Sequence, residues 1–340
     1  MSSTRLRRIA AAIGMVALLP LVSAPARSAE PVTIHMGWVV SVANWASILF
    51  AKPELARHLN KSYRFEAVHF QGTPPMITGL ASGELDIGDL AYSSFALAVE
   101  NAGMSDLRII ADEFQDGVPG YFSDTFLVAK DSPIKTVADL KHKVLATNAV
   151  GSAVDMAMRS MLRKNHLDDK KDVTIVEAAF PNMLAMLTQH KVDLFPGVLP
   201  FAVDPAVESA TRVLFTQKQA VGRTQMIVWE ARASFLQKNR AAMVDFMEDA
   251  LRAERWYLDP ANHEEAVAIA AKVSKQPASR FESWLFTKKD YYRDRDGRPD
   301  LDALQANINL QKQLGFLKSD LAVKKYTDLS IVEEAAKRLR

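Results

Sequence analysis

Strand-like apolar runs alternate with helical patterns twice along this chain, and the remainder, toward the C-terminus, is almost wholly helical. In the first round, Val32 to Gly37 and Phe65 to Phe70 read as strands, with Trp45 to Asn60 helical between them. Leu85 to Gly88 comes next as a strand, Ser93 to Asn101 as a helix and Leu107 to Asp112 as a strand. That order predicts an open α/β sheet with helices on both faces. Then the alternation restarts: strands at Phe126 to Lys130, Val144 to Thr147, Val173 to Glu177 and Val192 to Phe195, with helices at Ser152 to Lys164, Pro181 to His190 and Ala206 to Ala210. In the first of these helices Val154, Met158, Met161 and Leu162 fall at i, i+4, i+7 and i+8, the period of one buried face. A strand, "MIVWEA", returns after Gln225, and helices are read at Ala233 to Leu258, Glu264 to Val273, Ala278 to Thr287, Leu301 to Leu314 and Ile331 to Leu339. A purely helical tail has no sheet of its own to bury against, so it must wrap the first α/β unit. The second unit is then inserted in the first, with the chain crossing near residues 124 and 223.

Residues 1 to 29 stand apart from this pattern. Arg5, Arg7 and Arg8 precede an apolar run from Ile9 to Val22, and small residues extend from there to Ala29. This is the charged, apolar, small-residue order of a cleaved secretory signal, and the run is shorter than the roughly 20 residues a membrane span needs. The segment holds four arginines and no acid, so the formal charge of +2 for the whole chain becomes −2 without it. Nothing in that balance favours nucleic acid or an anionic membrane. The chain has no cysteine, which removes disulfides, thiolate metal sites and a cysteine nucleophile. The seven histidines, at 35, 58, 69, 142, 166, 190 and 263, show no metal-ligand spacing. There is no G-x-S-x-G and no Walker A loop. Catalytic residues, metal and cofactor are all expected to be absent.

Three stretches in order carry a resemblance: "FQGTPPMITGLASGELDIG" (residues 70 to 88), "DSPIKTVADLKHKVLATNAVGSA" (131 to 153) and "DALQANINLQKQLGFL" (302 to 317). From about Val32 to its end the chain resembles the periplasmic solute-binding proteins of the nitrate, sulfonate and taurine ABC importers, a group that includes thiamine-pyrimidine-type binders. The resemblance implies an α/β, two-lobed periplasmic-binding-protein type II fold with two crossover strands and a helical C-terminal tail packed on the first lobe. Lobe 1 would comprise 30–124 plus 223–340, and lobe 2 125–222, after the signal at 1–29. It further implies a monomer in the periplasm that closes by hinge bending on a small anionic ligand and delivers it to an ABC permease in the inner membrane. The sequence departs from the group at His142, where Gly usually follows "DLK", and in "AKPELARHL" (51 to 59), which lacks the usual Gly-aromatic pair.

In open α/β sheets, ligands sit beyond the carboxyl ends of the strands, where loops feed helix N-termini. Thr73 reads as the cap of a helix with Pro74 in its first turn, Ser152 as the cap after "TNAVG", and Pro181 as the opening of a third such helix. Each also reads simply as a helix cap; several aimed at one cleft would favour an anion. Trp38 and Trp45 flank a polar loop after the first strand, and one of them is expected to wall the cleft. Tyr92 offers a hydroxyl, Asp89 is the acid nearest the strand ends, and Arg223 at the second crossing is a candidate counter-ion, with Asp124 at the first crossing a weaker candidate. Asn44, Asn148, Ala153, Pro196 and Gly197 complete the expected ligand-binding set. The favoured ligand is a small organic sulfonate or carboxylate, aromatic carboxylates included; the alternatives are a thiamine-pyrimidine-type precursor or an enzyme on the same fold. The related pyrimidine synthases carry a cysteine-rich motif, which this chain lacks.

Overall fold

The computed structural model describes residues 30–340, so the signal reading of 1–29 lies outside the described residues. Strands β1 (Val32–Trp38) and β2 (Tyr63–His69) pair in parallel, and β3 (Ile87–Ala91) lies parallel on the other side of β1. β4 (Leu107–Asp116) closes the far edge, and β10 (Thr224–Arg232) returns much later to lie antiparallel between β3 and β4. The order is β2-β1-β3-β10-β4.

The second round repeats this plan. β5 (Thr125–Ala129) is antiparallel between β8 (Phe195–Gly197) and β9 (Thr211–Thr216). β6 (Val144–Thr147) and β7 (Thr174–Glu177) pair in parallel, and β6 is tied to the residues before β8 by a Leu145–Leu194 bridge. The sequence across is β7-β6-β8-β5-β9, the first order again, with the incoming strand in the same place. Each sheet thus receives one strand that enters from the other: a two-lobed α/β fold with two crossovers.

Helices α1 (Thr73–Ser82), α2 (Tyr92–Glu100), α3 (Ala153–Lys164) and α4 (Phe180–Thr188) fill the connections. Short helices α5 (Pro205–Ala210), α6 (Gln217–Val221) and α7 (Ala233–Lys238) flank β9 and β10. In the tail, α8 (Arg240–Tyr257) lies on β2, α10 (Leu301–Gln313) on α2 and β10, and α11 (Ser330–Arg338) on α8 and β4, with α9 (His263–Ser274) following α8. The tail therefore covers the first sheet, and Trp229, Phe246, Leu251 and Val332 are buried between the layers.

Several elements differ from the sequence reading: the helix read at Ala233 to Leu258 is broken at Asn239 into α7 and α8, and the strand read at Val192 to Phe195 lies at Phe195–Gly197. Trp45 to Asn60 is not an α-helix but two 3-10 turns, Trp45–Ser47 and Pro53–Leu55. Pro53 supplies no N–H and disfavours the helical conformation for Lys52, which sits at φ −111°, ψ 84°. Ala278 to Thr287 forms only a 3-10 turn at Ala278–Arg280. Phe286 beyond it is left-handed at φ 55°, its N–H held by Asp290 at 2.9 Å. The strand read at Leu85 to Gly88 begins at Ile87 and runs on to Ala91. His142, where the related proteins place Gly, does adopt the left-handed conformation at φ 63°.

Candidate functional site

The carboxyl ends of both sets of parallel strands face one cavity of about 60 Å³. From the first lobe it takes Val39, Val40, Ala43 and Asn44 after β1, Thr73 at the start of α1, and Ala91 at the end of β3. From the second it takes Asn148, Ser152, Ala153 and Val154 at the β6–α3 junction, Phe180 at the start of α4, and Val198 and Leu199 after β8. Phe114, Met226, Ile227, Tyr291 and Asp124 complete its lining.

Local chemistry fixes these positions. Asn44 Oδ1 accepts from the N–H groups of Val39 (3.1 Å) and Val40 (2.8 Å), which curls the loop after β1 back on itself. The loop holds Val42 at φ 70°, a costly conformation for a β-branched residue, and Ser47 Oγ pins its N–H at 2.8 Å. Ser152 caps α3 by accepting from Asp155 N–H and donates to Asn148 Oδ1 at 2.8 Å. The first residues of α3, Ala153 and Val154, line the cavity. Helical geometry gives their N–H groups no partner within the helix, so this end is a donor surface.

α1 is not equivalent. Thr73 does not cap it: the N-cap is Gly72, and Thr73 Oγ1 lies 2.6 Å from Ser94 Oγ. Pro74 and Pro75 then remove two of the N–H groups an anion would use. α4 likewise carries Pro181 in its first turn. The donors of the site are concentrated on one helix.

Of the residues marked in the sequence, Asn44, Thr73, Asn148, Ser152 and Ala153 meet in the cavity. Trp38 and Pro181 line the wider mouth above it, about 590 Å³, which shares Val39, Val40 and Phe180 with the cavity. Trp38 packs on His69 there, ring centroids 4.5 Å apart. Pro74 follows Thr73 but does not line the cavity; Pro196 and Gly197 lie in β8, just before the lining Val198. Tyr92 is fully buried below Ala91 and donates to Ala153 C=O at 3.3 Å.

Trp45, Asp89 and Arg223 are elsewhere. Trp45 is core, stacked on Phe286 at 5.4 Å. Asp89 is buried in the first sheet beside Glu113 and Glu230. Arg223 sits half exposed at the crossing, paired with Asp300 at 2.8 Å and donating to Gln115 at 3.0 Å.

Sequence reasoning passed over Phe114, Phe180 and Tyr291 as walls. The only hint of Tyr291 was its unusual setting, "DYYRDRDGRPD". Asp124, marked in the sequence as a weaker candidate, also lines the cavity. It is fully buried, its Oδ1 accepts from Tyr291 Oη at 2.5 Å, and its Oδ2 has no partner. Burial, and then the charge of Asp116, push its carboxyl well above the usual range. Asp116 itself is raised to about 7, mainly by burial, although Ser123 Oγ (2.6 Å) and Asp124 N–H (2.7 Å) donate to it. No Lys, Arg or His lines the cavity among the described residues.

A trio the histidine spacing did not reveal is the half-buried His58 and Asp245 with the buried Glu248. Arg338 pairs with both of its carboxylates and Arg252 with Glu248, so it is an ion-pair network.

The sequence matches the model of the NMT1-like family over residues 27–271. The chain belongs to the NMT1-like family. No curated protein matches it. Among solved structures, the alkanesulfonate-binding protein SsuA from Xanthomonas axonopodis pv. citri, bound to MOPS, superposes with a TM-score of 0.68 at 20% identity, covering 88% of this chain and 99% of its own. The periplasmic nitrate-binding protein NrtA from Synechocystis PCC 6803 gives 0.70 at 17% identity, over 92% and 90%. The desulfurization enzyme DSZB gives 0.62 at 14% identity, over 91% and 100%. These likenesses establish a shared two-lobed architecture for this member of the family.

Proposed function

We propose that the protein is the solute-binding component of an ABC importer, exported to the periplasm, where it closes on a small organic acid and presents it to a membrane permease. The observation that carries the reading is the cavity between matching strand-to-helix junctions of two sheets that each receive a strand from the other. Separation of the lobes would widen such a cavity, and the neighbours SsuA and NrtA are binding proteins of this architecture. The two crossings lie side by side, Thr224 pairing with Asp116, as a hinge requires. Closure is held by reciprocal bonds: Gln71 Nε2 donates to Asn148 C=O and Asn148 Nδ2 to Gln71 C=O, both at 3.1 Å. Gly72 permits this approach, since a Cβ there would meet Ala149 Cβ at 2.7 Å.

The acid group of the ligand would take the N–H donors of α3, and Phe114, Phe180 and Tyr291 suit an apolar or aromatic body. The crossings of the chain between the two sheets support the lobe limits at 124 and 223. DSZB keeps an enzymatic reading in play, and both readings meet one experiment. Small molecules released from the purified protein are identified by mass spectrometry, and sulfonates, carboxylates, nitrate and pyrimidines are screened by thermal shift. A ligand at a hundred times its Kd should stabilise the protein by about 2.7 kcal/mol, be recovered unchanged, and reduce the radius of gyration in scattering. Turnover of the ligand would decide for an enzyme.

A further inference from the structure

Among the described residues, Arg280 and Asp204 make the one ion pair that joins residues 125–222 to the rest of the molecule. Arg280 ends the 3-10 turn at Ala278–Arg280 in the tail, and Asp204 stands just before α5 in the second lobe. Asp204 Oδ1 caps α5 by accepting from Ala206 N–H at 2.8 Å, which leaves Oδ2 to accept from Arg280 Nη2. The turn is anchored by the buried Trp284, whose Nε1 donates to Arg280 C=O at 2.7 Å. Each charged group is thus held by its own lobe before the two meet. Their position is telling. Asp204, Arg280 and Pro200 line the mouth above the cavity, and the same three line a groove of about 750 Å³ beside it. The pair stands where the two openings meet. Across that groove the signs are sorted by lobe: Asp204 and Glu208 on the second lobe face Arg280, Lys288 and Lys289 on the tail. Other contacts between the lobes are of a different kind. Gln71 and Asn148 exchange neutral bonds, Ser93 Oγ donates to Gly151 C=O at 2.9 Å, and Arg163, already met by Asp169, donates to Leu314 C=O. Hydrogen bonds act only at contact distance. Opposite charges attract over a Debye length of about 8 Å at physiological salt, and added salt screens them.

We propose that Arg280 and Asp204 form an electrostatic latch across the mouth, which draws the lobes together from a distance and makes closure depend on ionic strength. This rests on the reading of the two crossings as a hinge. With the lobes apart, the two groups face water on separate surfaces; as the lobes approach they meet at the rim, and the neutral bonds then fix the final geometry. Neither residue lines the cavity, so the latch acts on the balance of open and closed states and not on the contacts of a bound solute.

The chain has no cysteine, so Ser209→Cys on the second lobe and Lys272→Cys on the tail, both exposed, accept a single pair of spin labels. Pulsed electron resonance on the full mature chain, freed of solute, reads the open and closed populations from the distance between the labels. Raising salt from about 0.02 M to about 1 M should raise the open-to-closed ratio about two- to fivefold, the size expected of a partly exposed ion pair. Arg280→Gln should show that rise already at low salt and lose most of the salt dependence. Asp204→Asn keeps the cap of α5 and should do the same, so it carries the test if Arg280→Gln fails to fold. The double variant should go no further than either single one, and Arg280→Lys should restore most of the closed population. An unchanged ratio in both single variants, or a salt response equal to the parent's in both, overturns the latch. Gln71→Ala separates that outcome from failure of the hinge: if it shifts the ratio while Arg280→Gln and Asp204→Asn do not, the latch is overturned and the hinge stands. One fixed distance in every variant and at every salt concentration overturns both.

Discussion

The two sheets share a strand order but treat buried charge in opposite ways. In the second lobe, Asp155 and Asp169 are each met by arginine: Arg159 bonds Asp155 at 2.9 Å and Asp169 at 2.8 Å, and Arg163 bonds Asp169 at 2.6 Å. Burial raises the carboxyl of Asp169, but the hydrogen bonds from Arg163 and Arg159 outweigh it and hold the group below its ordinary value. Asp155, more deeply buried, stays above its ordinary value even with Arg159 beside it.

In the first lobe, Asp89, Asp112, Glu113, Glu230 and Glu254 are all buried, and Arg293, itself buried, lowers only Asp89, Glu113 and Glu254. Burial raises every one of these acids, Asp112 and Glu113 to about 7. Glu113 remains the best served, accepting from Trp45 N–H at 2.6 Å, Asn44 Nδ2 at 3.2 Å and Trp229 Nε1. Asp89 and Glu230 have no hydrogen-bond partner on either oxygen. The lesson is that one architecture tolerates buried acids by two routes: matched guanidinium partners, or protonation. Only the second makes stability depend on pH near neutrality.

Removing each lobe's cation is the strongest way to break this comparison. Arg293 bonds Asp290 at 3.1 Å and Ala43 C=O at 2.9 Å, among the rings of Trp45, Phe114 and Phe286. Arg293→Met should cost about 3 to 5 kcal/mol, the loss typical of a buried pair left with one partner. Arg159→Met should cost less, about 1 to 3 kcal/mol, since Arg163 still serves Asp169. Denaturant unfolding of both variants measures the order, and a larger loss for Arg159→Met would reverse the comparison.

A smaller effect is expected from pH. A carboxyl raised in the folded state contributes stability that is complete below its unfolded value near 4 and is lost as pH rises through its folded value. With Asp112, Glu113 and Asp116 at about 7, the melting temperature should fall by several degrees from pH 5 to pH 8. Asp169, lowered, is ionised across that window in both states and adds no slope. Asp89→Asn should flatten the fall and raise stability at pH 8 by about 1 kcal/mol, because it replaces a charge that burial opposes. A melting temperature that rises with pH would refute the protonation account.

The smallest expected effect sharpens the contrast between helix ends. Ser152→Ala removes the cap of α3 and should cost about 1 kcal/mol in unfolding while weakening the true ligand several-fold. Thr73→Ala, which caps nothing at α1, should leave binding of the acid group nearly unchanged.

Much of this molecule was legible along the chain because it arises from local periodicity. The period-2 and period-3.6 alternation, its restart after residue 124 and the helical tail after residue 232 marked out two α/β units and their crossings without any contact being known. The cap at Ser152 and the strand at Val144–Thr147 were readable for the same reason, since caps and strands are decided by neighbours in sequence. Where a nearby proline outweighed apolar patterning, as at Pro53, the reading failed although the signal was present.

The cleft was a different matter. Whether Trp38 or Trp45 faces the ligand depends on where the tail lays Phe286, far along the chain, and it is Trp45 that Phe286 covers. Arg223 looked free in sequence because its partner, Asp300, lies on the tail. Asp124 ranked only as a weaker candidate because its burial is produced by β4, β5, α6 and Tyr291 converging from four places in the chain. Local pattern fixes which residues form elements. Charge pairing, burial and the polarity of a cavity are sums over distant groups, and the tertiary structure alone decides those.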